Sequence, residues 1–118
     1  MEKFMPLKSS EKVLVPKCFK ADSFFTRFMG LMGKKGLPDD EAVLFPKCNS
    51  IHTFFMRFPI DVVMISKEGE VVEVVESCHP WRLLLPRRSV KHIIEMRAHR
   101  TRELGITAGL TLDYPGVW

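Results

Sequence analysis

Three cysteines, four histidines and one aspartate set inside an apolar run are the residues of this chain best suited to nucleophilic, acid–base or metal chemistry. If the stretch from Cys48 to Met56 is extended, alternate residues share a face, so Cys48, Ser50, His52, Phe54 and Met56 point the same way. A thiol, an imidazole and a thioether on one stripe suit a soft metal such as Cu(I), and a thiol beside an imidazole suits a Cys48 nucleophile with His52 as its base. Residues four apart on a strand are nevertheless separated by roughly 13 Å. The two groups can share a proton or a metal only if the chain bends at Asn49-Ser50; otherwise His52 is a buried, hydrogen-bonded core histidine. Adding the adjacent pair Cys78-His79 supplies four N and S donors for zinc, but neighbours on an extended chain point apart, and zinc knuckles separate their ligands by a turn. No metal and no cofactor is expected.

Asp61 stands between Pro59-Ile60 and Val62-Val63, where an unpaired carboxylate is expensive to bury. It must find partners, either an arginine (Arg57 or Arg82) or backbone N–H groups, which would make it a structural lock. The alternative is a site residue beside Trp81 and Arg82. Pro80-Trp81-Arg82 sets an aromatic and a guanidinium together in a loop, a pairing that takes anions, sugars or bases by stacking plus forked hydrogen bonds. Downstream, Arg87, Arg88, Lys91, Arg97, Arg100 and Arg102 are accompanied only by Glu95 before Glu103. That basic run admits a nucleic-acid or phosphate surface, yet no aromatics interleave with it and a charge run is usually a solvated face.

The elements that must position these groups are short. Glu11 to Pro16 carries Val13-Leu14-Val15 and reads as a first strand closed by proline. Asp22 can cap a helix over Ser23 to Met32, with Phe24, Phe25, Phe28, Leu31 and Met32 on one side, more readily core than a docking stripe. Gly36 to Asp40 is turn chemistry, Ala42 to Phe45 a buried strand, and Ile51 to Phe58 a central strand ended by Pro59. Ile60 to Ile65 and Val71 to Val75 flank a turn in which Gly69 can take the left-handed conformation. Leu83 to Leu85 is a short apolar stretch and Lys91 to Arg97 a strand. Thr101 to Leu104 makes one helical turn that exits at Gly105, and Leu110 to Leu112 closes the sheet.

With 118 residues, 46% of them hydrophobic and 27% charged, the chain has enough for one core and no sign of disorder-prone composition. Residues 1–118 are therefore expected to form a single domain. Many strands parted by Pro and Gly turns, with two brief helices, predict a mainly β fold, a compact β-sandwich or partly closed jelly-roll-like barrel. The N-terminus is too soon broken by charge and Pro6 to be a secretory signal, and no stretch is long enough to span a membrane, so a cytoplasmic protein is expected. Three cysteines cannot all pair within the chain. A net charge of +4 permits an anionic partner without requiring one. No phosphate-cradling glycine loop, Ser-His-Asp elbow or His-Glu-x-x-His helix occurs.

The order of certain motifs is distinctive: Arg27-Phe28-Met29-Gly30-Leu31-Met32, Ser50-Ile51-His52-Thr53, Met56-Arg57-Phe58-Pro59-Ile60-Asp61-Val62-Val63, Gly69-Glu70-Val71-Val72, Pro80-Trp81-Arg82, and Arg102-Glu103-Leu104-Gly105-Ile106. In this order the chain, from about Ala21 to Leu112, resembles the bacterial and archaeal family known as domain of unknown function 192. The resemblance implies a compact β fold of the sandwich or jelly-roll kind and no particular reaction. Two departures stand out. Ala98-His99 replaces the family's usual Ala-Gly pair, and Gly109-Leu110 replaces its usual Gly-Asp.

Two functional readings follow. In the first, the chain is a non-catalytic binding module in which His52, Thr53, Met56, Arg57, Asp61, Trp81 and Arg82 line a site for a small anionic ligand or a partner segment. In the second, it is a small hydrolase or thiol-dependent enzyme using Cys48 or Asp61 with His52 and Arg82. Whether it is an enzyme is left open by the sequence, as is its oligomeric state.

Overall fold

Ile60–Ile65 is buried at every position, as a strand must be when both faces of its sheet are covered. This strand, β5, lies inside a six-stranded sheet. A computed structural model describes residues 4–21, 37–53 and 58–118. Its strands are β1 (Phe4–Ser9), β2 (Lys12–Lys20), β3 (Glu41–Phe45), β4 (Ile51–His52), β5, β6 (Val71–Cys78), β7 (Leu83–Leu84) and β8 (His92–Arg97), followed by the short helix α1 (Arg100–Leu104). The large sheet runs β1-β2-β3-β8-β5-β6, and β4 and β7 form a separate two-stranded ribbon. Every adjacent pair is antiparallel except β2 with β3, which is parallel.

Alternation along the inner strands sorts the core onto two faces. On the first, Ala42, Leu44, Val63, Ile65, Ile94 and Met96 pack with Leu7, Val15, Ile106, Leu112 and Tyr114. On the second, Val43, Phe45, Ile60, Val62, Met64 and Ile93 pack with Leu37, Cys78 and Val90, and Ile51 and Leu84 of the ribbon rest against them. At about 1.5–3 kcal/mol for each fully buried Val, Leu, Ile or Met side chain, the two clusters hold the sheet from both sides. The mainly β expectation is borne out.

The β5–β6 hairpin forms as its sequence requires, with Gly69 at φ +89 in the turn. A side chain there would also meet Trp118, because a Cβ would lie 2.2 Å from the indole Nε1. Trp118 is fixed over the turn by its N–H donating to the Leu112 carbonyl at 2.6 Å. Residues 109–113 do not add a full strand. They bridge the two edges of the sheet, Asp113 to Lys8 on β1 and Thr111 to Glu70 beside β6, so the sheet is drawn together without becoming a closed ring.

Three expectations change. β1 was not foreseen, because Pro6 and the flanking lysines disguise its apolar alternation. Pro16 does not close β2: the register slips between Met5↔Cys18 and Leu7↔Val15, and this bulge takes up the proline before parallel pairing with β3 begins at Lys17. Of the central strand expected over Ile51 to Phe58, the described part forms β4 at Ile51–His52, in the ribbon rather than the main sheet, and residues 54–57 lie outside the described residues. The helix expected over Ser23 to Met32 lies outside the described residues.

Candidate binding surface on the Trp81 loop

Thr53 follows β4 and is fully buried. Its N–H donates to the Arg82 carbonyl at 2.9 Å, and its carbonyl accepts from the Trp81 N–H at 3.0 Å. The hydroxyl donates to the His79 carbonyl and accepts from the Arg82 N–H, both at 2.8 Å. One small side chain and its own backbone therefore grip residues 79–82 from four directions. Within that grip Trp81 takes φ +66, a left-handed conformation that costs a non-glycine residue of order 1–2 kcal/mol. Its side chain is nonetheless 62% exposed. Leu83 at 58% and Leu85 at 68% continue the pattern at every second position, while Leu84 turns inward to the second core face. β7 pairs with β4 through Ile51↔Leu84 and His52↔Leu83, and among the described residues no strand occupies its other edge.

Beneath the ribbon, the second face carries two ionisable groups. Cys78 is buried, and that burial pushes its thiol up from the ordinary value, while the nearby Arg82 charge and Thr53 hydroxyl pull it down and Glu95 pushes it further up. Glu95 lies between Val43 of β3 and Val62 of β5 in the register. It is 1% exposed, and its Oε2 has no hydrogen-bond partner. Desolvation raises its carboxyl to about 8, so it holds a proton at neutral pH.

Asp61 is handled differently. Its Oδ1 accepts from the N–H groups of Ser77 at 2.8 Å and His99 at 2.9 Å, and its Oδ2 accepts from the Thr101 N–H at 3.0 Å and hydroxyl at 2.5 Å. Ser77 and His99 are themselves left-handed, at φ +52 and +70. Their strained backbones aim two N–H groups at one carboxylate, and the charge-assisted bonds offset the strain. Asp61 thus locks the end of β6 to the start of α1, with backbone groups and a hydroxyl as its partners and neither arginine among those described.

The residues expected to share a site are accordingly divided. Thr53, Trp81 and Arg82 meet; His52, in β4, precedes Thr53; Met56 and Arg57 lie outside the described residues; Asp61 joins Ser77, His99 and Thr101. Cys48 follows Lys47, at φ +53, and its thiol donates to the Ser50 carbonyl at 2.9 Å. Among the described residues no group of three His, Cys, Asp or Glu side chains is placed to hold a metal.

The basic run is largely neutralised by carboxylate partners, some remote in sequence and one, Glu103, close by. Arg87 pairs with Glu73, Arg97 with Asp39 and Glu103, Arg100 with Glu103, and Arg102 with Glu76. Leu83, Leu85 and Glu95 were missed as site residues. The signal for Glu95 was there, since it falls two after Ile93 on the strand from Lys91 to Arg97, where alternation turns it inward.

A family model described as "Uncharacterized ACR" and designated DUF192 matches residues 6–114. The chain belongs to the DUF192 family. No curated protein matches it. Among solved structures, a protein of unknown function from Novosphingobium aromaticivorans is similar, with a TM-score of 0.78 and 18% identity over 96% of this chain and 85% of that one. A Sinorhizobium meliloti protein designated a "putative transcription regulator" is similar with a TM-score of 0.77 and 20% identity, over 96% and 93% of the two chains. At these identities the likeness shows the fold alone. His99 holds φ +70, a left-handed conformation that glycine takes without strain. Among the described residues no helix is long and apolar enough to cross a membrane.

Proposed function

We propose that this chain is a single binding module that takes an extended partner segment along β7 and the Trp81 loop. The observation that carries the reading is the exposed alternation of Trp81, Leu83 and Leu85, anchored by the buried Thr53 grip. An aromatic held exposed in a costly backbone conformation marks a surface whose shape matters more than its solvation. The edge of β7 supplies main-chain hydrogen bonds, as in strand addition, and the three apolar side chains favour a segment with apolar residues two apart. Arg82 and Arg88, exposed on either side and without an ion-pair partner among the described residues, favour acidic residues between them.

The nucleic-acid reading of the basic run is less well supported, because most of its arginines already have carboxylate partners. A thiol enzyme built on Cys48 is less well supported, because the Cys48 thiol is engaged in donating to the Ser50 carbonyl, and both oxygens of the Asp61 carboxylate already accept two hydrogen bonds each.

Selection of random seven-residue segments displayed on phage against the purified protein tests the proposal. Enriched segments should carry apolar residues at alternate positions with Asp or Glu between, and Trp81→Ala should weaken the best of them at least tenfold, about 1.4 kcal/mol. Segments without that pattern, or binding indifferent to Trp81→Ala, would overturn it. So would a Trp81-dependent melting shift produced by 1-naphthoate or adenosine monophosphate with no response to any peptide.

A further inference from the structure

Among the described residues, Glu95 is the one buried carboxyl that the binding surface and the Asp61 lock leave unexplained. Its Oε2 is shut away without a partner on the face against which Ile51 and Leu84 of the ribbon rest. The Cys78 thiol and the Thr53 hydroxyl both donate to the His79 carbonyl, at 3.8 and 2.8 Å, and the register of Ile60 with Cys78 and of Val62 with Glu95 puts the carboxyl on the same face of the sheet as that thiol, so the carboxyl, the thiol and the Trp81 grip occupy one neighbourhood. We propose that Glu95 is a proton-held latch for the Trp81 surface: protonated, it lies buried beneath a seated ribbon, and its ionisation lifts the ribbon and loosens residues 79–82. This rests on the binding reading only in saying what the latch regulates.

Among the described residues few other ionisable groups face it. From β3 and β5 the register neighbours are Val43 and Val62, both apolar; from β6 comes the Cys78 thiol, and from the loop, Arg82. On β8 itself, Arg97 lies two residues along on the same side and is held by Asp39 and Glu103, while His92 belongs to the opposite face with Trp118. No cation bonds to the carboxyl in the closed state, so ionising it draws in water or moves what covers it.

The sign of the effect follows from the direction of the shift. The closed state holds the proton up to about pH 8, whereas an opened, hydrated carboxyl releases it near the ordinary 4.5. Opening is therefore increasingly favoured as pH rises between these values and levels off above them. Cys78 shifts the same way but only above its own ordinary value of 9.0, and His92, whose value is lowered from 6.5, acts only on the acid side.

Amide hydrogen exchange of the unliganded protein between pH 6.5 and 8, corrected for intrinsic rates, tests the latch. Protection of the Thr53, Trp81 and Arg82 amides, all hydrogen-bonded in the grip, should fall roughly tenfold across that window. It should stay flat in Glu95→Gln. If these amides are flat while those of the β5–β8 ladder fall, Glu95 is exposed only by global unfolding and the latch is refuted. If nothing falls, the carboxyl does not hold its proton and the idea is equally refuted. The wild-type profile decides even if Glu95→Gln does not fold, and no outcome depends on a partner peptide.

Discussion

Asp61 and Glu95 are diagonal neighbours across the β5–β8 pairing, both removed from solvent, and the fold treats them in opposite ways. Asp61 receives four donors, two of them from residues forced into left-handed backbone, and stays at the junction of β6 and α1. Glu95 faces the other side among valines, with one oxygen unmatched. A buried carboxyl with every acceptor filled is architecture, because removing it strands its donors. One with an acceptor unfilled keeps free energy in reserve, and the reserve is released by a proton or by movement.

The contrast can be broken at several points. Asp61→Ala should cost the most, about 4 kcal/mol or more in chemical denaturation, since three N–H groups and a hydroxyl lose their acceptor at about 1–3 kcal/mol for each one left buried; a loss under about 1 kcal/mol would mean that the lock is ornamental. Wild-type stability should fall by roughly 1.5 kcal/mol from pH 6.5 to 8, at about 1.4 kcal/mol per unit of unmatched titration. Glu95→Gln should remove that slope, and a slope that survives the substitution would assign it elsewhere. The smallest effect sharpens the Asp61 side: His99→Gly relieves a left-handed side chain at the price of its exposed bond to Glu76, for a net gain of up to about 1 kcal/mol in the same assay. A clear loss would show that the His99 ring matters more than its backbone.

Much of this arrangement is written locally. The hairpin around Gly69 and the turn before Gly105 are legible because a left-handed residue and a change in periodicity fall together. Asp61 is legible as a group needing partners, since burial of a lone carboxylate is prohibitive. Its partners are not, because they come from Ser77, His99 and Thr101, whose convergence depends on the register of three separate elements. The start of the span from Ile51 misleads by composition, since aromatic and β-branched residues say "fits a pleated surface" without saying which sheet, and Ile51–His52 joins the ribbon. Glu95 is obscured by its neighbours, for an acid among many arginines looks like part of a charged surface until the strand's alternation is weighed against it. The arginines mislead in turn, because Glu73, Glu76 and Asp39, which neutralise them, are far away along the chain.

The bridge between Lys8 and Asp113, with the Tyr114 hydroxyl donating to the Cys18 carbonyl at 2.7 Å, has a consequence for how the molecule assembles. Contacts between such distant residues are made only after a long loop has closed, and the parallel β2–β3 pair also needs a crossover before it can register. Chains dominated by pairings of this kind fold on the order of milliseconds to seconds, and until the late segment arrives the outer strand has one side unfinished. Refolding rate should therefore respond more to the spacing of these remote partners than to the propensity of either strand alone.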